Sequence, residues 1–71
     1  MSVEHINAGN VVVHRVRGFI GICEESEYGI SVRYKNMSGR YGRTIGDYPH
    51  FVAQHWRLAT DEEVRRYFDA D

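Results

Sequence analysis

The sequence is poor in cysteine, with one, and in proline, with one, and it has no long apolar run. Each shortage removes a class of protein. A lone cysteine, Cys23, cannot close an intramolecular disulfide, so no disulfide scaffold is available and the reducing cytoplasm is the expected setting. No stretch approaches the roughly 20 apolar residues that span a bilayer. The opening residues lack the basic–apolar–small order of a secretory leader, so none is expected. No G-x-S-x-G elbow, paired-carboxylate constellation or phosphate loop is present, so neither an enzyme nor a cofactor is expected. At 71 residues the chain makes a single domain, 1–71, with a small core.

Positive and negative charge are both present but segregated. Residues 1–32 carry a net −2, residues 33–57 a net +4, and residues 58–71 a net −3. A basic middle between acidic ends describes the surface field and the partners it attracts, not the fold.

Strand signals dominate. Residues 1–8 have weak periodicity and read as a loose arm or a short edge strand. Gly9-Asn10 is a turn signal, and the β-branched run Val11 to Val16 follows as a strand. Phe19 to Glu24 is a second strand, in which Gly21 suggests a bend, a bulge or a close backbone approach. In Gly29 to Lys35, Ile30, Val32 and Tyr34 alternate with Ser31, Arg33 and Lys35, the period of a strand with one buried and one wet face. Asn36 to Gly39 is a hairpin loop, and Arg40 to Ile45 a fourth strand with Tyr41 and Ile45 on one side. Gly46-Asp47-Tyr48-Pro49 is a break, with Tyr48 pushed to extended geometry by the proline that follows. For Phe51 to Leu58 two readings stand: one strand, or a 3₁₀ turn through Phe51-Val52-Ala53 leading into a strand at His55 to Leu58. The second is favoured. A short helix over 60–69 closes the sequence. Thr60 and Glu63 form a capping box, and Val64, Tyr67 and Phe68 make one apolar stripe that must dock on the sheet.

Taken together, Gly9-Asn10-Val11-Val12-Val13, then Gly18-Phe19-Ile20-Gly21-Ile22, then Gly29-Ile30-Ser31-Val32-Arg33-Tyr34 resemble the first three strands of the KOW, Tudor and CarD-like group of small SH3-like barrels. The resemblance covers the first half of the chain. It implies a mainly β fold: an SH3-like barrel of about five antiparallel strands, closed at glycine corners 18, 21 and 29, with the short C-terminal α-helix as an addition that caps an open end. The ending Trp56-Arg57-Leu58-Ala59-Thr60-Asp61-Glu62-Glu63 and the small size also resemble accessory proteins of bacteriophages and prophages.

The chemistry-bearing residues each have a plain alternative. His50 and His55 are five apart, with His5, His14 and Cys23 elsewhere. Zinc needs three or four ligands held together, so surface or half-buried histidines are the expectation and no metal site is assigned. Cys23 sits before Glu24 and Glu25, which disfavour a thiolate, and reads as a core residue. Gly39-Arg40-Tyr41-Gly42-Arg43 is glycine-rich but does not lead from a strand into a helix, the arrangement a phosphate cradle needs. The basic segment 33–57 is the candidate site: Arg33, Lys35, Arg40, Tyr41, Arg43, Trp56 and Arg57. Arginines interleaved with aromatics are the preferred anchors of protein interfaces, and they also clamp phosphates and stack bases. A solvated sheet face with core aromatics is the plain alternative. The expected function is a non-enzymatic module binding a protein partner, with a KOW-type nucleic-acid binder as the alternative and no membrane partner. An exposed strand edge would also permit a homodimer.

Overall fold

The computed structural model describes residues 5–35 and 39–69. Three β-branched residues in succession open strand β1 (Val11–His14), which pairs antiparallel with β2 (Ile20–Ser26). The expected first strand ran to Val16, but His14 stops it. The His14 Nδ1 accepts the backbone N–H groups of Val16 at 3.3 Å and Arg17 at 3.0 Å, and the Gly18 N–H bonds the His14 carbonyl at 3.0 Å. A side chain that captures the next two amides starts the turn early.

β2 and β3 (Gly29–Lys35) form a seven-pair hairpin ladder. Gly29 is required at its turn: φ is +134°, and a Cβ there would strike the Asp47 carbonyl. β4 (Tyr41–Arg43) pairs along β3 and is shorter than the expected Arg40 to Ile45. The Thr44 hydroxyl intercepts the Val32 N–H at 2.9 Å, while the Thr44 N–H still reaches the Val32 carbonyl. The chain keeps following β3 as far as an isolated bridge between Ile30 and Asp47.

Helix α1 (Pro49–His55) comes next, then β5 (Trp56–Leu58). Residues 51–54 are therefore helical, and the helix runs about two α turns from Pro49, not a 3₁₀ turn over three residues. Proline suits the first helical position because its missing N–H has no partner there, and Tyr48 ahead of it is extended, with ψ at 145°. Helix α2 (Asp61–Asp69) ends the described chain.

The five strands form one antiparallel sheet in the order β4-β3-β2-β1-β5, the arrangement of a small SH3-like barrel. Tyr34 and Trp56 measure its curl. They stand on β3 and β5, three strand spacings or about 14 Å apart in a flat sheet, yet their ring centroids lie 5.7 Å apart. The ladder does not close between β4 and β5, so side chains hold the roll together. Inside it lie Val12, Cys23, Ile30, Val32 and Trp56, joined by Val52 and Ala53 of α1 and by Ile6. Ile6 is fully buried, so the arm expected over residues 1–8 is tied down there; residues 1–4 lie outside the described chain, as do 36–38 of the expected hairpin loop.

Gly18, in the β1–β2 turn with φ at +73°, is a corner as expected, but Gly21 is not. It lies within β2, opposite Tyr34, and a Cβ would come within 2.9 Å of the Tyr34 Cβ. Close approach, rather than a bend, is its role. Gly42, opposite Tyr34 on the other side, does the same for the ring, which lies 2.7 Å from where a Cβ would stand. Tyr34 therefore sits between two glycines, its Cα and Cβ against Gly21 and its ring against Gly42, and Phe19 stacks on it at 5.4 Å.

Candidate functional site

Register decides which expected residues share a surface. Across the sheet, Arg57, Val13, Ile20, Lys35 and Tyr41 form one cross-strand row, and Val11, Ile22, Arg33 and Arg43 the next. Side chains alternate along each strand, so these rows occupy one face, the outer one. Five of the seven expected residues are therefore brought together: Arg33, Lys35, Tyr41, Arg43 and Arg57. Arg40, exposed, enters β4 just before Tyr41. Trp56 is not part of this face. It pairs with His14 on the inner face and is 5% exposed. Its ring packs edge-on against His14 at 4.9 Å.

The outer face is not a uniformly basic plane. Glu24 lies between two of the arginines, 3.8 Å from the Arg33 Nε and 3.2 Å from an Arg43 Nη. Arg57 is engaged by α2: it meets both Glu63 carboxylate oxygens, at 2.7 and 2.9 Å. Glu63 also accepts the Thr60 N–H at 2.9 Å, while its own N–H donates to the Thr60 hydroxyl at 3.2 Å. The capping box expected from the sequence is thus formed and tied to β5. Arg57 and the cap hold the Glu63 carboxyl down at about 2. Lys35 keeps its ammonium 5.9 Å from the Tyr41 ring centroid, a loose cation–π contact.

The α2 stripe does not cap an end of the barrel. α2 leans over the outer face, whose β1 residues Val11 and Val13 are buried even though the core lies on the other side. Between them, helix and sheet leave a crevice of about 320 Å³ lined by Ile20, Lys35 and Tyr41 from the sheet and by Arg66, Tyr67 and Phe68 from α2. Phe68 remains 63% exposed. Sequence reasoning had these helix residues as a cover for the barrel, and so missed them as neighbours of Lys35 and Tyr41. Their signal was the helical spacing itself, with Arg66 beside the apolar stripe.

A second concavity, of about 360 Å³, opens on the inner side at the mouth of the roll. Phe19, Tyr34, Phe51 and Trp56 supply aromatic walls, with His14, His55, Arg17 and Asp47 among the polar groups. These residues come from four separate stretches of the chain, and no spacing in the sequence announces them. His14 is held neutral: burial comes first, then the nearby His55 and Arg17, and all three lower its pKa. The two N–H groups donated to its Nδ1 act in the same direction, because a protonated Nδ1 cannot accept them.

Cys23 is no nucleophile. It is buried in the core, and burial pushes its thiol up to about 11. Among the described residues no group of three His, Cys, Asp or Glu is placed to hold a metal ion, and no helix is long and apolar enough to cross a membrane. Comparison with protein-family models, with curated proteins and with solved structures returns no match to this chain.

Proposed function

We propose that this protein is a non-enzymatic interaction module that grips a protein partner through the outer face of its sheet. The observation that carries the reading is the meeting of cations with exposed aromatics on one surface. Arg33, Lys35, Tyr41 and Arg43 come from the β3–β4 side, with Arg40 at the start of β4, and Arg66, Tyr67 and Phe68 from α2. Arginine and tyrosine are the residues on which interface energy concentrates, because each offers a large apolar body with a polar end. The KOW, Tudor and CarD-like resemblance agrees with a binding role, since such barrels present ligands on their strands. The resemblance of residues 56–63 to accessory proteins of bacteriophages and prophages supports an accessory role of that kind, and the lone cysteine fits a cytoplasmic setting.

Nucleic acid is the second reading, favoured by the cross-strand placement of Arg33, Lys35 and Arg43. It is the weaker one because Glu24 lies among these cations and Glu63, in the acidic first turn of α2, engages Arg57 on the same face. Affinity for a polyanion scales with the phosphates neutralised.

The test is retention from host lysate on the immobilised chain, with and without nuclease, beside a variant carrying Lys35→Glu, Arg40→Glu and Arg43→Glu. Protein retained despite nuclease and lost with the variant is the expected result. Retention that nuclease abolishes selects the nucleic-acid reading. Equal retention by the variant rejects the face.

A further inference from the structure

We infer that the crevice between α2 and the sheet is the anchor pocket of this surface, and that it takes a short acidic protein segment bearing one bulky apolar side chain. The inference rests on the function just proposed and supplies the partner's chemistry. Ile20, Tyr41, Tyr67 and Phe68 give the crevice an apolar lining, and among the described residues its charged members are Lys35 and Arg66. At about 320 Å³ it is small, at the lower end of the roughly 300–1,000 Å³ typical of ligand pockets, and suits one side chain better than an extended ligand.

Charge complementarity selects the occupant. Among the described residues no carboxylate lines the crevice, and two cations stand at it. Lys35 is propped over Tyr41, and Arg66 pairs with Glu62, one helical turn back at 3.3 Å, in a pair exposed on both sides. An incoming carboxylate can replace so exposed a contact at little cost. Arg33 and Arg43 lie in the next row of the same face. A polyphosphate running along this face must pass Glu24 between those arginines. A peptide can place its carboxylates beside Lys35 and Arg66 and its apolar residue between them.

Fluorescence anisotropy of the full chain decides the matter with four labelled probes: an acidic octapeptide with a central phenylalanine, the same peptide with alanine there, a basic octapeptide with phenylalanine, and a single-stranded oligonucleotide. The acidic phenylalanine peptide should bind, its alanine counterpart about tenfold more weakly, and the basic peptide not at all. Lys35→Glu should weaken the first by about tenfold or more, and Tyr67→Ala should abolish the preference for phenylalanine. Circular dichroism checks that both variants stay folded, and Lys35→Glu, at a half-buried strand position on the outer face, keeps the test valid if Tyr67→Ala does not. Equal binding of the two acidic peptides overturns the anchor pocket while leaving the interaction face intact. Binding of the oligonucleotide alone overturns both readings in favour of nucleic acid. Dimerisation of the chain that Lys35→Glu abolishes makes a second copy the occupant and overturns the inference. No binding to any probe rejects the pocket and the face together.

Discussion

Three side chains tie local chemistry to stability. Glu63 serves two elements at once, closing the cap of α2 and clasping Arg57 on β5 with both oxygens. Glu63→Gln should cost about 1 kcal/mol at neutral pH, in the range of a lost cap with part of a half-exposed ion pair. The pH dependence follows from the carboxyl's depression from 4.5 to about 2. Its contribution is complete above 4.5 and disappears as the pH falls towards 2, because the unfolded chain takes up the proton first. Urea midpoints from pH 7 to 2 should therefore fall more steeply for the wild type than for Glu63→Gln below 4.5. His14 has the same sign in a higher window. Its pKa is lowered from 6.5, so stability should fall as the pH drops below 6.5 and level off beneath the folded-state value. An NMR titration should find the His14 ring titrating below 6.5. Cys23, with a thiol at about 11 inside the core, should resist iodoacetamide at pH 8 until the protein is unfolded. Prompt alkylation of the native protein would contradict its placement.

Among the elements, the β2–β3 hairpin and α2 lie at opposite ends of local stability. β2 and β3 pair along seven residues, and both have neighbours on either side. α2 buries none of its residues fully. Amide exchange should accordingly be slowest at Cys23 and Val32 and fastest in α2, apart from the capped Glu63. The alternation from Ile30 to Lys35 and the Thr60–Glu63 spacing made these two elements legible from sequence, because each carries its own period or pair of caps. The faces of β1 were not legible. Val11, Val12 and Val13 look alike, and all three are buried although they alternate between the two faces of the sheet. The side taken by Trp56 was hidden for a related reason: pairing with His14, fixed by register over forty residues of separation, turns it inward. Strand lengths were overestimated where a side chain, His14 or Thr44, took over a backbone amide that the ladder would have used. Trp56→Ala should remove about 3–5 kcal/mol and leave little folded protein, whereas Tyr41→Ala, at a residue 70% exposed, should change stability by no more than ~0.5 kcal/mol. Thermal melts separate the two.

At the scale of the molecule, a curled sheet divides the aromatic residues between two concavities. One opens at the mouth of the roll over Trp56, and the other lies beneath α2 among the cations. The account assigns the partner to the second. That division also explains how much of the site could be read beforehand. Arg33, Lys35, Tyr41, Arg43 and Arg57 were identifiable because they share one basic stretch of sequence. Arg66, Tyr67 and Phe68 were not joined to them, because the helix reaches the sheet only through the fold. The most direct test is an amide and side-chain NMR titration of the full chain with the acidic phenylalanine peptide. Shifts concentrated at Ile20, Lys35, Tyr41, Arg66 and Tyr67, with the Trp56 indole N–H unmoved, are the predicted result. Shifts centred on Ile45, Phe51 and the Trp56 indole, with Lys35 and Tyr67 silent, would place binding at the mouth and contradict it.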